Sequence, residues 1–422
     1  MLLKSTTYSL WIIIITGLSM LMFSCLKSKK PGLPPDVVKV IDETGFNKIE
    51  LYKTIAKYFE SDDSLRLAAA YFLISNINSQ YAVDYNLTDS AENVVDIHPL
   101  SFPDEKSFLK DWKKIEDSLG GLFFRTKKFT LDRDTISSEL LINTIELSFT
   151  SRNNSWAKNL DFEYFLEYVL PYKIGNEHIE DWRSTLLNEF SWIIDTVGKG
   201  ANVDAVAALV NKHVNDNFEF DLRYIKNPHL QPIDEFLKTK KGNYQDISYL
   251  KAKILRSLGI PATVDYVPYL ADSVNSFFFA VFLLPDGTFK PLLSTETAYL
   301  FTTTQRIPKV YRRIYKEIDS SLFALKNIKV TTPPYLGHYH YLDLTNQYFQ
   351  VQNIRFKGNC SDSLIYLSVL NDNKWCSVDW AICKNDSAVF KNVAKGPDYQ
   401  FTYLSGSEGK KKNMLLLHEA NP

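Results

Sequence analysis

The chain has 422 residues, which predicts two or three domains at roughly 150 residues each. Its 48 Lys and Arg residues are balanced by 49 Asp and Glu residues, and this net charge of −1 argues against nucleic acid as a partner, because phosphate binding requires a basic surplus. Four cysteines are too few for a disulfide-dense scaffold. The sequence has no phosphate-binding Gly-rich loop and no His-Glu-x-x-His zinc helix, so neither a cofactor nor a metal is predicted.

The N-terminus has the pattern of an export signal. Lys4 precedes an apolar run over 10–23, which ends just before Cys25 and is shorter than the about 20 residues that span a bilayer. The pattern resembles a bacterial lipoprotein signal, which implies a signal peptide over 1–24, acylation of Cys25 and a tether over 25–36. It predicts a cell-envelope protein anchored in the lipid bilayer. The alternative is an uncleaved N-terminal anchor helix with an incidental cysteine.

The region 37–200 has apolar residues three and four apart, which predicts helices. Asp62 and Asp63 are interpreted as a helix start rather than a metal or acid/base cluster. Glu177, His178 and Glu180 are interpreted as a solvated helix face. The predicted helices of this region and the next, with a break at Pro171, are 136–150, 161–170, 179–195 and 203–218.

The region 201–325 changes from helix to strand. Apolar residues at helical spacing precede Gly259 and Pro261, which predict the end of a helix. Three β-prone segments follow, and a Pro-Asp-Gly turn separates the second from the third. The predicted strands are 263–267, 277–284 and 289–293.

The region 326–422 reads as a small β-sandwich with six short strands separated by Asn, Asp, Gly and Ser clusters. Three cysteines lie in it: Cys360, Cys376 and Cys383. Because an exported protein meets oxidising conditions, two of the three are predicted to form a disulfide, with the pairing left open. The predicted strands are 350–355, 363–369, 376–382, 388–393, 400–404 and 414–418.

Two motifs resemble the transglutaminase-like superfamily. They are 242–246 (Gly-Asn-Tyr-Gln-Asp) and 255–262 (Leu-Arg-Ser-Leu-Gly-Ile-Pro-Ala), where the family has a Gly-x-Cys turn, one helix and a Leu-Arg-x-x-Gly-Ile-Pro-Ala ending. The flanking segments extend the resemblance to Bacteroidetes lipoproteins that carry such a domain. The fold class implied is α+β, with a helical N-terminal region, a papain-like transglutaminase-like core and a C-terminal β-sandwich module.

The family's active members use a Cys at the start of the core helix, a His on the next strand and an Asp or Asn on the strand after that. Here the nucleophile position is Tyr244, and the His position falls at Phe277 or its neighbour Phe278. The third position is nearest Ser294 or Glu296. A phenol has a pKa of about 10 against about 8.5 for a thiol, and phenylalanine cannot transfer protons, so the sequence predicts a catalytically inactive domain.

The leading hypothesis is a groove that binds a peptide or glycan and is lined by Tyr244, Asp246, Phe277 and Phe279. The alternative is that these aromatic side chains only fill the hydrophobic core and bind no ligand. A second hypothesis is a thiol enzyme, an amidase, protease or acyl transferase, with a relocated site. A third is an envelope scaffold whose C-terminal module binds a protein partner. The residues available to a relocated thiol or metal site are Cys360, Cys376, Cys383, His338 and His340.

Overall fold

The structure is a computed structural model that describes residues 32–405 and 410–417. Within these ranges it does not describe 199, 228, 273–275, 295–297, 299–305, 320, 325–334, 338–339, 359 and 361–363, nor the side chains of 323 and 403–417. Cys25, Glu296 and His338 therefore lie outside the described residues. In the part of the chain that is described, no helix is both long and apolar enough to span a membrane.

The N-terminal region is mainly helical, as predicted. The short 182–190 and 192–197 helices replace the single helix expected over 179–195, with a junction at Ser191. The helices up to residue 217 are α1 Pro35–Glu43, α2 Lys48–Glu60, α3 Ser64–Ser75, α4 Glu105–Ser118, α5 Ser138–Ser151, α6 Phe162–Tyr168, α7 Trp182–Phe190, α8 Trp192–Val197 and α9 Val203–Asn217.

A β-hairpin interrupts the N-terminal region, which the sequence did not predict. Strands β1 Tyr81–Thr88 and β2 Phe123–Leu131 pair antiparallel, and helix α4 lies in the connection between them. Most side chains of β2 are exposed, so the strand lacks the alternating apolar face from which a half-buried strand is recognised. The connection is also too long for a short-turn hairpin signal.

The central region is one helix packed on an antiparallel sheet. Helix α11 Tyr244–Ser257 lies against strands β5 Ala262–Val267 and β6 Phe277–Leu283, close to the predicted bounds. The sheet has the order β7-β6-β5-β8-β9. The other elements are β3 Glu219–Phe220, α10 Ile233–Thr239, β4 Lys241–Gly242, β7 Phe289–Leu292, β8 Tyr311–Arg313 and β9 Tyr341–Asp343.

The C-terminal region consists of two sheets around one core, as the sandwich prediction requires. One sheet has the order β12-β11-β14-β15 and the other pairs β10 with β13. Ile354, Leu367, Val378 and Phe390, one from each of four strands, are all buried in the shared core. The elements are α12 Thr345–Tyr348, β10 Val351–Lys357, β11 Leu364–Asn371, β12 Lys374–Ile382, β13 Ser387–Ala394, β14 Tyr399–Ser405 and β15 Lys410–Leu417.

Candidate active-site groove

The start of helix α11 is fixed by a capping box. The Asn243 side chain accepts hydrogen bonds from the backbone N–H groups of Gln245 and Asp246, and the Asp246 carboxylate accepts one from the Asn243 N–H. Tyr244 is the first residue of the helix, and its ring stacks on Phe220 with 4.4 Å between centroids. The helix N-terminus therefore presents a packed phenol to the space in front of it.

Strand β6 places Phe278, and not Phe277, opposite this helix start. Phe278, Ala280 and Phe282 share the core that contains α11, whereas Phe277 and Phe279 belong to a separate apolar cluster. Successive side chains of a strand point to opposite faces, so one residue of register decides which phenylalanine meets the helix. The prediction that Phe277 lines the groove is therefore wrong. Phe279 packs against Tyr348 on the far face and only borders the smaller of two cavities described below.

Ser294 lies just beyond strand β7, which pairs with β6 through Ala280–Leu292 and Phe282–Lys290. Ser294 borders the same small cavity as Tyr244 and Phe278, with a volume of about 170 Å³. Tyr244 at the helix start, Phe278 on β6 and Ser294 after β7 thus line one cavity.

The small cavity also contains Lys251, which lies on the inner face of α11. Its ammonium donates to the Oδ1 atoms of Asn211 and Asn215, each at 2.7 Å. Burial lowers the pKa of Lys251 to about 8, because the charged form loses its hydration. No signal in the sequence marked this lysine beyond its position on the predicted helix.

A larger cavity of about 500 Å³ opens in front of Tyr244. Its wall combines aromatic rings with side-chain amides, and one guanidinium, Arg313, lies among them. Tyr81, Val83 and Tyr85 of the unpredicted hairpin form one side, and Asn371 of the C-terminal module borders the other. We call this cavity the groove. The remaining rings and amides that line it are Phe220, Tyr244, Tyr269, Phe278, Tyr335, Asn176, Asn227, Asn243 and Gln245.

Comparison with known proteins finds a domain match over the segment that carries Tyr244 and Phe278. Residues 193–281 match the model of the transglutaminase-like superfamily. The chain contains a transglutaminase-like domain. Comparison with curated proteins gives no match. One similar solved structure is described as “a Putative Cysteine Protease from Cytophaga hutchinsonii”, with 16% identity, a TM-score of 0.24 and coverage of 33% of this chain. The chain spans 46% of the length of that structure.

The motif at the end of α11 holds the transglutaminase-like domain together. Arg256 is buried, and its guanidinium donates to the carbonyls of Ala262 (2.7 Å) and Lys173 (3.1 Å). Its own carbonyl accepts a hydrogen bond from Arg183 at 3.1 Å. Gly259 has φ +84°, and a Cβ there would lie 2.6 Å from the Ser151 carbonyl oxygen, so only glycine fits. These residues of the family motif are structural.

Asp246 is a positioning residue of the domain rather than part of the groove wall. Its side chain is 3% exposed, and its two carboxylate oxygens accept hydrogen bonds from the backbone and side-chain amides of Gln231. Burial raises the pKa of Asp246, although these hydrogen bonds act in the opposite direction. The prediction that Asp246 lines the groove is therefore wrong, because the capping box turns its carboxylate inward.

The C-terminal cysteines form the predicted disulfide, between Cys360 and Cys383. Among the described residues, Cys376 is the cysteine that is not part of a disulfide, and it is partly exposed. The His340 ring lies against the Lys316 carbonyl oxygen at 3.2 Å, and burial lowers its pKa to about 4. The intact disulfide leaves Cys376 as the thiol available to a relocated site in this part of the molecule.

The predictions for the two acidic segments, 62–63 and 177–180, differ in outcome. Asp63 caps α3 as predicted, since its side chain accepts a hydrogen bond from the Arg66 N–H at 3.0 Å. The interpretation of 177–180 as a solvated helix face is wrong, because this segment is not helical. Glu177 is buried beside Lys253, with 3.6 Å between charged atoms, and Glu180 binds the same lysine at 2.8 Å.

Proposed function

We propose that this protein is an exported, lipid-anchored protein of the cell envelope whose transglutaminase-like domain binds a peptide or glycan segment in the groove. On this proposal the domain is catalytically inactive. The observation that carries it is that Tyr244 and Phe278, at the family's nucleophile and base positions, line one small cavity together with Ser294. These three side chains supply neither a thiolate nucleophile nor a base that transfers protons at neutral pH.

The lining of the groove supports binding of an extended chain. Tyrosine rings offer flat apolar surfaces with a polar edge, and side-chain amides donate and accept hydrogen bonds without charge. Both peptides and sugars present apolar faces bordered by amide or hydroxyl groups. A cavity of about 500 Å³ lies within the range of small-ligand sites, which is roughly 300–1,000 Å³.

The proposed location rests on the N-terminal sequence and on the disulfide. Lys4, the apolar run and Cys25 form the lipoprotein pattern, and disulfides persist in oxidising compartments. Fatty-acid labelling of the full chain and of Cys25→Ala tests the anchor, and we expect label on the full chain alone. No label on the full chain would contradict acylation of Cys25 and would favour the anchor-helix alternative. A protein partner bound through the C-terminal module remains a separate hypothesis, tested by co-purification with and without that module.

The binding proposal is tested with the purified full chain against peptide and oligosaccharide arrays, followed by calorimetry with the best binder. Tyr244→Ala removes a ring from the centre of the groove wall, so we expect affinity to fall about tenfold or more. Phe46→Ala is the matched control, since Phe46 is 98% exposed and lies outside the groove. Equal affinity for wild type and Tyr244→Ala would contradict the proposal. Turnover of the bound peptide, blocked by iodoacetamide, would instead favour the thiol enzyme.

A further inference from the structure

Two histidines and a carboxylate from three distant segments meet beside the groove. Asp84 lies on β1, His178 lies between α6 and α7, and His229 lies between β3 and α10. His178 Nε2 and Asp84 Oδ1 are 3.1 Å apart, and one nitrogen or oxygen atom from each of the three side chains lies within 4.8 Å of the other two. The chain separates these residues by up to 145 positions, so only the tertiary structure brings them together.

Hydrogen bonds to the Glu177 side chain fix the loop that carries His178. The Glu177 carboxylate accepts hydrogen bonds from the backbone N–H groups of Ile174 (2.8 Å) and Gly175 (2.7 Å). Lys253 lies beside the same carboxylate. Glu177 is buried, whereas the side chain of His178 is 55% exposed and accessible to an ion.

A hydrogen bond from Gln231 to Asp246 fixes the loop that carries His229. Gln231, two residues on, is tied to the buried Asp246 by its backbone N–H at 3.0 Å. The His229 ring packs against Tyr85, with 5.4 Å between centroids. Burial, and then the nearby His178, lower the pKa of His229.

A β-bulge positions the carboxylate of Asp84. The pairing of β1 with β2 shifts register between Asp84 and Tyr85, and a bulge of this kind redirects the side chains next to it. Asp84 and Tyr85 both reach the same corner, the first at His178 and the second at His229. The hairpin therefore supplies one ligand atom and one packing surface to the cluster.

We propose that Asp84, His178 and His229 form a binding site for a divalent transition-metal ion, with Zn²⁺ as the best fit. Two imidazoles and one carboxylate are a common ligand set for zinc with an open coordination position. In a tetrahedral site with bonds of about 2.0–2.1 Å, ligand atoms are about 3.3 Å apart. The Asp84–His178 pair is close to this spacing at 3.1 Å, and a ligand atom of His229 lies within 4.8 Å of both.

The proposed site adjoins the groove. The small pocket that contains His178 and His229 shares Tyr85, Asn176, Asn227 and Gln245 with the groove wall. A bound ligand that presents a carboxylate or carbonyl oxygen in this corner completes the coordination of the metal. The site lies apart from Lys251 and Ser294 and is independent of the degenerate catalytic positions.

Calorimetry with Zn²⁺ alone on the chelator-treated full chain tests the site. We expect one equivalent to bind, and we expect His178→Ala and His229→Ala each to weaken binding by at least the about 10–100-fold that is typical of losing a supporting residue. His213→Ala is the matched control, because this histidine packs on Phe190 and Trp192 away from the groove. Substitution with Co²⁺ gives visible absorption bands that report the coordination number.

The outcomes of this experiment are distinct. Both histidine variants should unfold at the wild-type temperature without metal, since His178 and His229 lie in loops, and only wild type and His213→Ala should gain stability from Zn²⁺. No saturable binding to the wild type, or equal binding to the double His178→Ala, His229→Ala variant, would overturn the proposal. Because no peptide or glycan is used, failure of the zinc site leaves the binding proposal for the groove untouched.

Discussion

The two ends of helix α11 retain different parts of the transglutaminase-like pattern. At the C-terminal end, Arg256 and Gly259 stand where the family motif has them, and both are fixed by contacts to distant backbone groups. At the N-terminal end, the capping box is present but Tyr244 occupies the nucleophile position. The comparison teaches that the residues that fix the fold of this domain are separate from the residue at the family's nucleophile position, so Tyr244 can stand there without loss of the fold.

The largest effect is expected at the C-terminal end. Arg256→Ala leaves the carbonyls of Lys173 and Ala262 buried without their donor, at a cost of about 1–3 kcal/mol each. We expect the free energy of unfolding, measured in urea, to fall by about 3–5 kcal/mol. Arg125→Ala, which removes an exposed arginine on β2, is the control and should change stability by less than about 1 kcal/mol. An Arg256→Ala variant as stable as the wild type would contradict the conclusion that the C-terminal end of α11 fixes the fold.

A smaller, pH-dependent effect is expected at Lys251, in the middle of the helix. Its pKa is lowered to about 8 in the folded state, so between about pH 8 and pH 10.5 the unfolded chain binds more protons than the folded chain. The stability of the wild type therefore rises with pH across this interval. We expect Lys251→Met to remove about 2 kcal/mol of that rise, measured by urea unfolding at both pH values. If the free energy of unfolding changed equally with pH in the wild type and in Lys251→Met, burial would not lower the pKa of Lys251 in the folded state.

The smallest change in stability, and the sharpest test of the N-terminal end, is expected from Tyr244→Cys. The substitution loses one aromatic stack, worth about 0.5–1.5 kcal/mol. It places a thiol at the start of a helix, where the helix dipole lowers the thiol pKa, so we expect alkylation by iodoacetamide at neutral pH about tenfold faster than for Phe129→Cys on the exposed strand β2. Equal rates would mean that the helix start no longer activates a nucleophile.

The sequence predicted the elements whose signals are local. Helix α11 and strands β5 to β7 follow from apolar spacing, from Gly259 and Pro261, and from the Asp-Gly turn. The same signals failed for the hairpin β1–β2, because β2 has no buried face and its partner lies across a helix. The sequence also left open whether Phe277 or Phe278 faces the helix, since two adjacent phenylalanines fit either register.

By itself, the sequence determined the α+β fold class, the transglutaminase-like motifs and the exchange of the nucleophile for Tyr244, because these depend on residue identity and short spacing. The tertiary structure decided the rest. It turned Asp246 inward, placed Phe278 and Ser294 at one cavity, and joined Cys360 to Cys383. It also brought Asp84, His178 and His229 to one corner of the groove. Such groupings depend on how distant segments pack, which no local pattern of apolar or polar residues records.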